Sequence, residues 1–237
     1  QAKILNGKII PGDRVFYPVK SHIRASVPKS EKNNLDGKRV YIQALEDANT
    51  RISSITSMIE KKGGQVVTSL EPINDMFDDV DLIIHMTGNV PNCDKLTELS
   101  RDEWDKLVNH FINLPAMTTQ GAIETFVPGG SDDPRKFKDA KGRIVIIGPD
   151  LPAGKKISGH ERAKVEVFRG AMRPFATTVN QELSDVLKSN VRAFLVLPGT
   201  VDGKEPNDEN VVDTINYLMS DESGSSSEVI FCPDETR

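Results

Sequence analysis

The chain has 237 residues, 37% of them hydrophobic and 27% charged, with a formal net charge of −5. That is enough apolar material for one well-buried α/β domain. The acidic balance, with no basic stripe, argues against a nucleic-acid partner, and no apolar run approaches the ~20 residues that span a bilayer.

Residues 1–34 read as an extended N-terminal arm, with a strand at 14–19 and a polar linker after it. Val15, Phe16, Tyr17 and Val19 are too apolar for a tail left wholly in water. From residue 35 to 237 the pattern becomes one domain of alternating strands and helices. Short runs rich in β-branched residues predict strands at 38–43, 65–69, 81–86, 143–148, 192–197 and 228–232, several of them apolar on both faces. Helical patterns fill 49–62, 100–113, 160–188 and 208–220, and Gly63 and Gly64 suit the cap that ends the first.

The helix from 100 opens on Ser100 as N-cap with acidic residues in its first turn. Trp104, Leu107, Val108, Phe111 and Ile112 then share one face. Val165, Phe168, Met172 and Phe175 form a second apolar stripe, and Pro174 is placed to bend that helix. The alternation predicts an α/β fold: a doubly wound, mostly parallel, Rossmann-like sheet.

Cys93 and Cys232 have neither metal nor redox spacing, and His22, His85, His110 and His160 form no ligand cluster. No metal is expected; two reduced thiols in the cytoplasm are, with a lone Cys93–Cys232 disulfide as the alternative.

Three stretches resemble the short-chain dehydrogenase/reductase family. Residues 99–126 are similar to its central interface helix, with an acidic opening and Trp104. Residues 190–203 are similar to its sixth strand and Pro-Gly turn, and residues 210–235 to its last helix, Ser-rich turn and final strand. The resemblance covers about 200 residues from Leu35 onward. It implies a nicotinamide cofactor whose pyrophosphate rests in a glycine cradle at a helix start, and an Asn–Ser–Tyr–Lys set that moves the proton.

The sequence departs from that pattern in the cradle, in the loop motif except for its glycine, and in three of the four proton-transfer positions. The cradle glycines fall at Ala44, Ala48 and Thr50, beside Glu46 and Asp47, and no glycine lies between Gly37 and Gly63. Each added Cβ narrows the approach to a pyrophosphate. Each like charge at ~4 Å costs on the order of 1–4 kcal/mol. Only about 11 residues separate the second and third predicted strands, too few for the helix–strand–helix the family carries there, so one strand–helix unit is expected to be missing. The loop motif Asn-Asn-Ala-Gly becomes His85-Met86-Thr87-Gly88.

In the proton-transfer set, asparagine falls on Phe111, with Asn109 and Asn113 two residues away on either side. Serine falls on Pro149 and tyrosine on His160, while lysine remains as Lys164. Only a short polar loop follows Gly199, where the family places a lid over substrate.

No catalytic or cofactor-binding residue is therefore expected on this chain. The reading that follows is a catalytically inactive subunit that pairs with an active NAD-dependent, hydroxyacyl-CoA-type dehydrogenase subunit in a hetero-oligomer, a heterotetramer by the family's pattern. NAD would then sit on the partner. The candidate interface residues are Trp104, Val108, Phe111, Val165, Phe168 and Met172, with the chain's own core as their other destination. Two alternatives remain open. One is an active NAD(P)-dependent oxidoreductase using His160 and Lys164, and the other a structural ketoreductase-like module of a megasynthase.

Overall fold

The strands form where β-branched and aliphatic residues run together, and the helices where the apolar period lengthens to a helical one. The computed structural model describes residues 32–44, 49–67, 80–87, 99–126, 140–149, 159–198, 208–221, 223 and 229–232. Within them the strands are β1 (Arg39–Ala44), β2 (Gln65–Val67), β3 (Leu82–Met86), β4 (Lys141–Ile147), β5 (Asn190–Pro198) and β6 (Val229–Cys232). They make one six-stranded sheet in the order β2-β1-β3-β4-β5-β6, with every neighbouring pair parallel. The predicted α/β sheet is the observed one. Among the described residues β2 and β6 are its two edges. The segment between β2 and β3, where the missing unit was expected, and the arm through residue 31 lie outside those residues.

Helices cover both faces, because the strands are apolar on both. α1 (Asn49–Lys61) and α5 (Asp208–Leu218) cover one face, where Val40, Leu82, Ile84, Val145, Phe194 and Val196 meet Ile55, Ile59, Val211 and Ile215 in an unbroken core. α2 (Arg101–Val108), α3 (Leu114–Phe126) and α4 (Gly159–Gln181) cover the other face. There the core is two clusters, one around Ile83, Ile144, Ala122 and Phe126, the other around Ile146, Leu195, Phe111 and Phe168.

α1 ends as its glycines require. Gly63 takes φ of 80°, and the Gly64 N–H donates to Ile59 O at 3.0 Å, closing the last turn. α2 begins on a capping box: Ser100 Oγ accepts from the Glu103 N–H, and Glu103 Oε2 accepts from the Ser100 N–H at 2.8 Å.

The helix read as ending at 113 continues. A single π turn over Asn109–Asn113 joins α2 to α3, with the Leu114 N–H donating to Asn109 O. Pro115 supplies the reason. It has no N–H for Phe111 O and its ring would press on that carbonyl in a regular helix, so one widened turn ahead of it keeps the helix going. Pro174 lies on the exposed side of α4 and does not end it. A second π turn, Glu182–Val186, follows, and Lys188 closes it at φ of 53°.

The chain enters β1 through a clasp on the end of α5. Asn216 Oδ1 accepts from the Asn34 N–H at 2.8 Å and the Leu35 N–H at 3.2 Å. Asn216 Nδ2 donates to Lys32 O at 2.9 Å, and Asn34 Nδ2 donates to Asn216 O at 3.0 Å. The buried Asn216 side-chain amide thus satisfies three backbone groups of the entering segment, and its own backbone carbonyl takes a fourth bond from Asn34.

Candidate functional site

Parallel strands with this order reverse direction of travel between β1 and β3, and the crevice outside their carboxyl ends is where open α/β sheets bind ligands. Ala44 ends β1 there, half-buried, and Thr87 follows β3, buried, with its hydroxyl donating to Ile147 O at 3.1 Å. The start of α1 faces the same region. Of the three cradle positions, Ala44 closes the strand, Ala48 lies outside the described residues, and Thr50 is in the first turn of α1.

The next residue, Arg51, sets the local electrostatics. Its Nε donates to Asp208 Oδ1 at 2.7 Å, tying the first turn of α1 to the first turn of α5. A guanidinium at a helix start would attract an anion, but this one already has a carboxylate against it. A dinucleotide is the group this fold class takes at the crevice. Here it would meet no glycine between Gly37 and Gly63 and an ion pair already closed at the helix start. These residues do not make the glycine-lined approach that a pyrophosphate uses.

The positions matching the proton-transfer set lie on three elements. Phe111, in the π turn, is 1% exposed and packs edge-on against Phe168, with ring centroids 5.8 Å apart and planes at 70°. Asn109 and Asn113, the two neighbours that could have carried the asparagine role, are both exposed. Pro149 is buried just past β4. Gly148 beside it touches the ring of Phe168 so closely that an added Cβ would lie 2.7 Å from Cε1. His160 and Lys164 fall one turn apart at the start of α4, and their side chains lie outside the described residues.

The six interface candidates divide. Phe111, Phe168 and Met172 are at most 1% exposed and pack with Ile146, Leu195 and Leu197 of the sheet, so they are core and not interface. Periodicity marks a face without saying what covers it, and here the sheet covers it. Val108 is half-buried, and the side chain of Val165 is outside the described residues. Trp104 is exposed. With Met117 and Val167 it makes up the exposed large hydrophobics of the described residues, and all three belong to the α2–α3–α4 layer. Met117 and Val167 escaped the sequence reading because each sits off the main apolar stripe.

A polar group that the sequence reading did not assemble lies in the sheet beneath α3. Gln43 of β1 and His85 of β3 are register partners, and Thr118 of α3 reaches both: its Oγ is 2.8 Å from Gln43 Oε1 and 2.9 Å from His85 Nδ1. Burial holds the imidazole down from 6.5 to about 4, so it is neutral at physiological pH. Two polar residues at inward positions of adjacent buried strands were the available signal. Among the described residues no group of acidic, histidine or cysteine side chains could hold a metal ion, and no helix is long and apolar enough to cross a membrane.

No family model matches the chain. It is 24% identical over 144 residues to an uncharacterized oxidoreductase of Staphylococcus aureus strain USA300, and equally to its counterpart in strain NCTC 8325. The match takes in 57% of this chain and 54% of each relative, so the chain spans about half the length of the curated relatives it matches. Solved structures resemble it more widely. A short-chain dehydrogenase from Leptospira borgpetersenii with bound NAD+ superposes with a TM-score of 0.60 at 12% identity, over 84% of this chain and 92% of that one. A short-chain dehydrogenase/reductase from Serratia marcescens gives 0.56 at 16% identity, over 84% and 96%. An NADH-dependent reductase of alginate metabolism gives 0.58 at 13% identity, over 84% and 96%. The fold is that of the short-chain dehydrogenases.

Proposed function

We propose that this chain, built on the short-chain dehydrogenase fold, is a non-catalytic subunit that pairs with an active NAD-dependent dehydrogenase and stabilises or completes its assembly. The observation that carries the reading is Phe111. Where the family's proton relay needs an amide, a phenyl ring is buried edge-on against Phe168 and turned into the core. Buried Pro149, in the serine's place, has no hydroxyl to polarise a carbonyl. No proton path can run through two such side chains.

The outer face of the α2–α3–α4 layer supports the second half of the reading. Trp104, Met117 and Val167 keep apolar surface in water, which a partner would cover. Gly121 and Gly170 lie on the same layer, exposed and with open space where a Cβ would stand, so another helix can approach closely. In its finest form the proposal places the chain in a heteromeric dehydrogenase of 3-hydroxyacyl-CoA substrates, of the kind exemplified by (S)-2-[hydroxy(phenyl)methyl]succinyl-CoA dehydrogenase. NAD is held by the active subunit.

A second reading has one observation in its favour. His160 and Lys164 are four apart at the start of α4, so an imidazole base and a lysine can share one helix face, as in an active NAD(P)-dependent oxidoreductase.

Native mass spectrometry of the protein purified with its natural neighbours separates the two. The proposal expects a mixed assembly holding fewer nucleotides than subunits, and no NADH fluorescence change on titrating this chain alone. A homo-oligomer with one nucleotide per chain overturns it and turns attention to His160.

A further inference from the structure

Beneath α3 the inner face of the sheet changes character partway along its strands. Tyr41, Ile83 and Ile144 belong to the first apolar cluster on that face, with Ala122 and Phe126 of α3. Two residues on, the same face presents Gln43, His85 and Ile146 in register. Ile146 belongs to the second cluster, with Leu107, Phe111 and Phe168. Gln43, His85 and Thr118 form a polar seam at the break between the two. Among the described residues no such seam crosses the face under α1 and α5, where the core is one cluster.

Counting protons fixes the state of the seam. The Thr118 hydroxyl has one proton and three acceptors within reach: Leu114 O at 2.9 Å, Gln43 Oε1 at 2.8 Å and His85 Nδ1 at 2.9 Å. The competition eases when His85 carries its proton on Nδ1 and donates it to Thr118 Oγ, so that the one hydroxyl proton is left for Gln43 or Leu114. That tautomer leaves Nε2, which is buried and has no hydrogen-bond partner, as a bare lone pair. Adding a proton there would create a buried cation whose N–H has no acceptor.

We propose that the Gln43–Thr118–His85 seam is an acid-released latch that holds α3 on the sheet. Neutral His85 closes it, and protonation of the ring lets α3 lift away while the opposite core stays folded. None of the described charged groups offsets the cation. On β1 the same face offers Tyr41, whose phenol burial pushes upward, and just before β3 it offers Asp81, beyond the far end of the strand from His85 and held by Lys38 at 2.8 Å. β4 brings only Gly142, Ile144, Ile146 and Gly148 to that face. On the helices, Glu124 and Arg173 are exposed and His110 is half-buried.

The direction of the effect follows from linkage. The open form binds the proton at about the ordinary histidine value, and the closed form only near 4. Latching is therefore complete above about pH 6.5 and weakens steadily as the pH falls from there toward 4.

Hydrogen exchange of the full chain, corrected for intrinsic rates and read separately for α3 and α5, tests this. Protection of α3 should fall ~20-fold between pH 7 and pH 5 and lie below that of α5 throughout, so that α3 exchanges while α5 is still protected. His85→Gln should remove that pH slope. Equal protection of α3 and α5 at every pH, or an unchanged slope in the variant, overturns the latch. Ring-nitrogen NMR of the unmodified protein keeps the test open should the variant not fold. A neutral ring with its proton on Nδ1 at pH 6 supports the latch, and a charged ring or an Nε2 proton at that pH overturns it.

Discussion

Lys188 shows how far a single residue can sit from its preferred conformation without function explaining it. It holds φ of 53° where α4 and its π turn close, and the Ser189 N–H donates across it to Leu183 O at 2.9 Å. That is a helix C-cap in the left-handed region, where a Cβ crowds the neighbouring carbonyl and glycine has no penalty. Lys188→Gly should therefore raise stability by about 0.5–1 kcal/mol despite the entropy lost with glycine, seen as a melting temperature higher by about 1–3 °C. A lower melting temperature would mean the lysine stem packs on something worth more than the strain. Arg143 is a contrasting case. Burial, with Arg192 beside it, lowers the tendency of its guanidinium to hold a proton. Its Nε donates to Leu218 O at 3.0 Å and its Nη1 to Asn190 O at 3.0 Å. A charge in that position is a bolt between β4, β5 and the end of α5.

At the scale of elements, the π turn and the Phe111–Phe168 contact belong together. The widened turn that accommodates Pro115 also carries Phe111, the ring packed against α4. Phe168→Ala should cost about 3–5 kcal/mol in urea denaturation, because the ring fills the space over Gly148 and no neighbour can follow it. Trp104→Ala, on the same layer but exposed, should change stability by no more than about 0.5 kcal/mol while weakening any assembly that uses that face. Equal losses in both variants would contradict the division into core and outer face. Most elements were legible in the sequence because their signals are local: the aliphatic runs of β3 and β5, Ser100 with Glu103, Gly63 and Gly64. The extension through 114–126 was carried by the resemblance over 99–126 and not by the apolar period, because Pro115 reads as a stop until the turn before it is known to widen. The core role of Phe168 and Met172 was hidden for a different reason. A stripe at helical spacing looks the same whether a sheet or another subunit covers it. The seam needed the register of β1 against β3, which no single strand carries.

For the whole molecule, the nucleotide question reduces to whether the crevice or only its glycines has changed. Replacing Ala44, Ala48 and Thr50 together with glycine should not create NADH binding detectable by fluorescence titration, since the Arg51–Asp208 pair and the sheet edge at β2 are untouched. Binding in that triple variant would locate the whole defect in the three side chains. The Asn216 clasp bears on how the molecule is made. β1 is paired on both sides within the sheet, yet the segment entering it is tied to a residue 182 positions later. At about 5–20 residues per second on the ribosome, that partner is synthesised roughly 10–40 seconds after Asn34. Through that interval the Asn216 side chain is not there to accept from Asn34 and Leu35, and the groove for α5 beside α1 stays open. The emerging chain therefore spends most of its synthesis with that face of its sheet covered by α1 alone, and completes the cover in a single late step when α5 arrives.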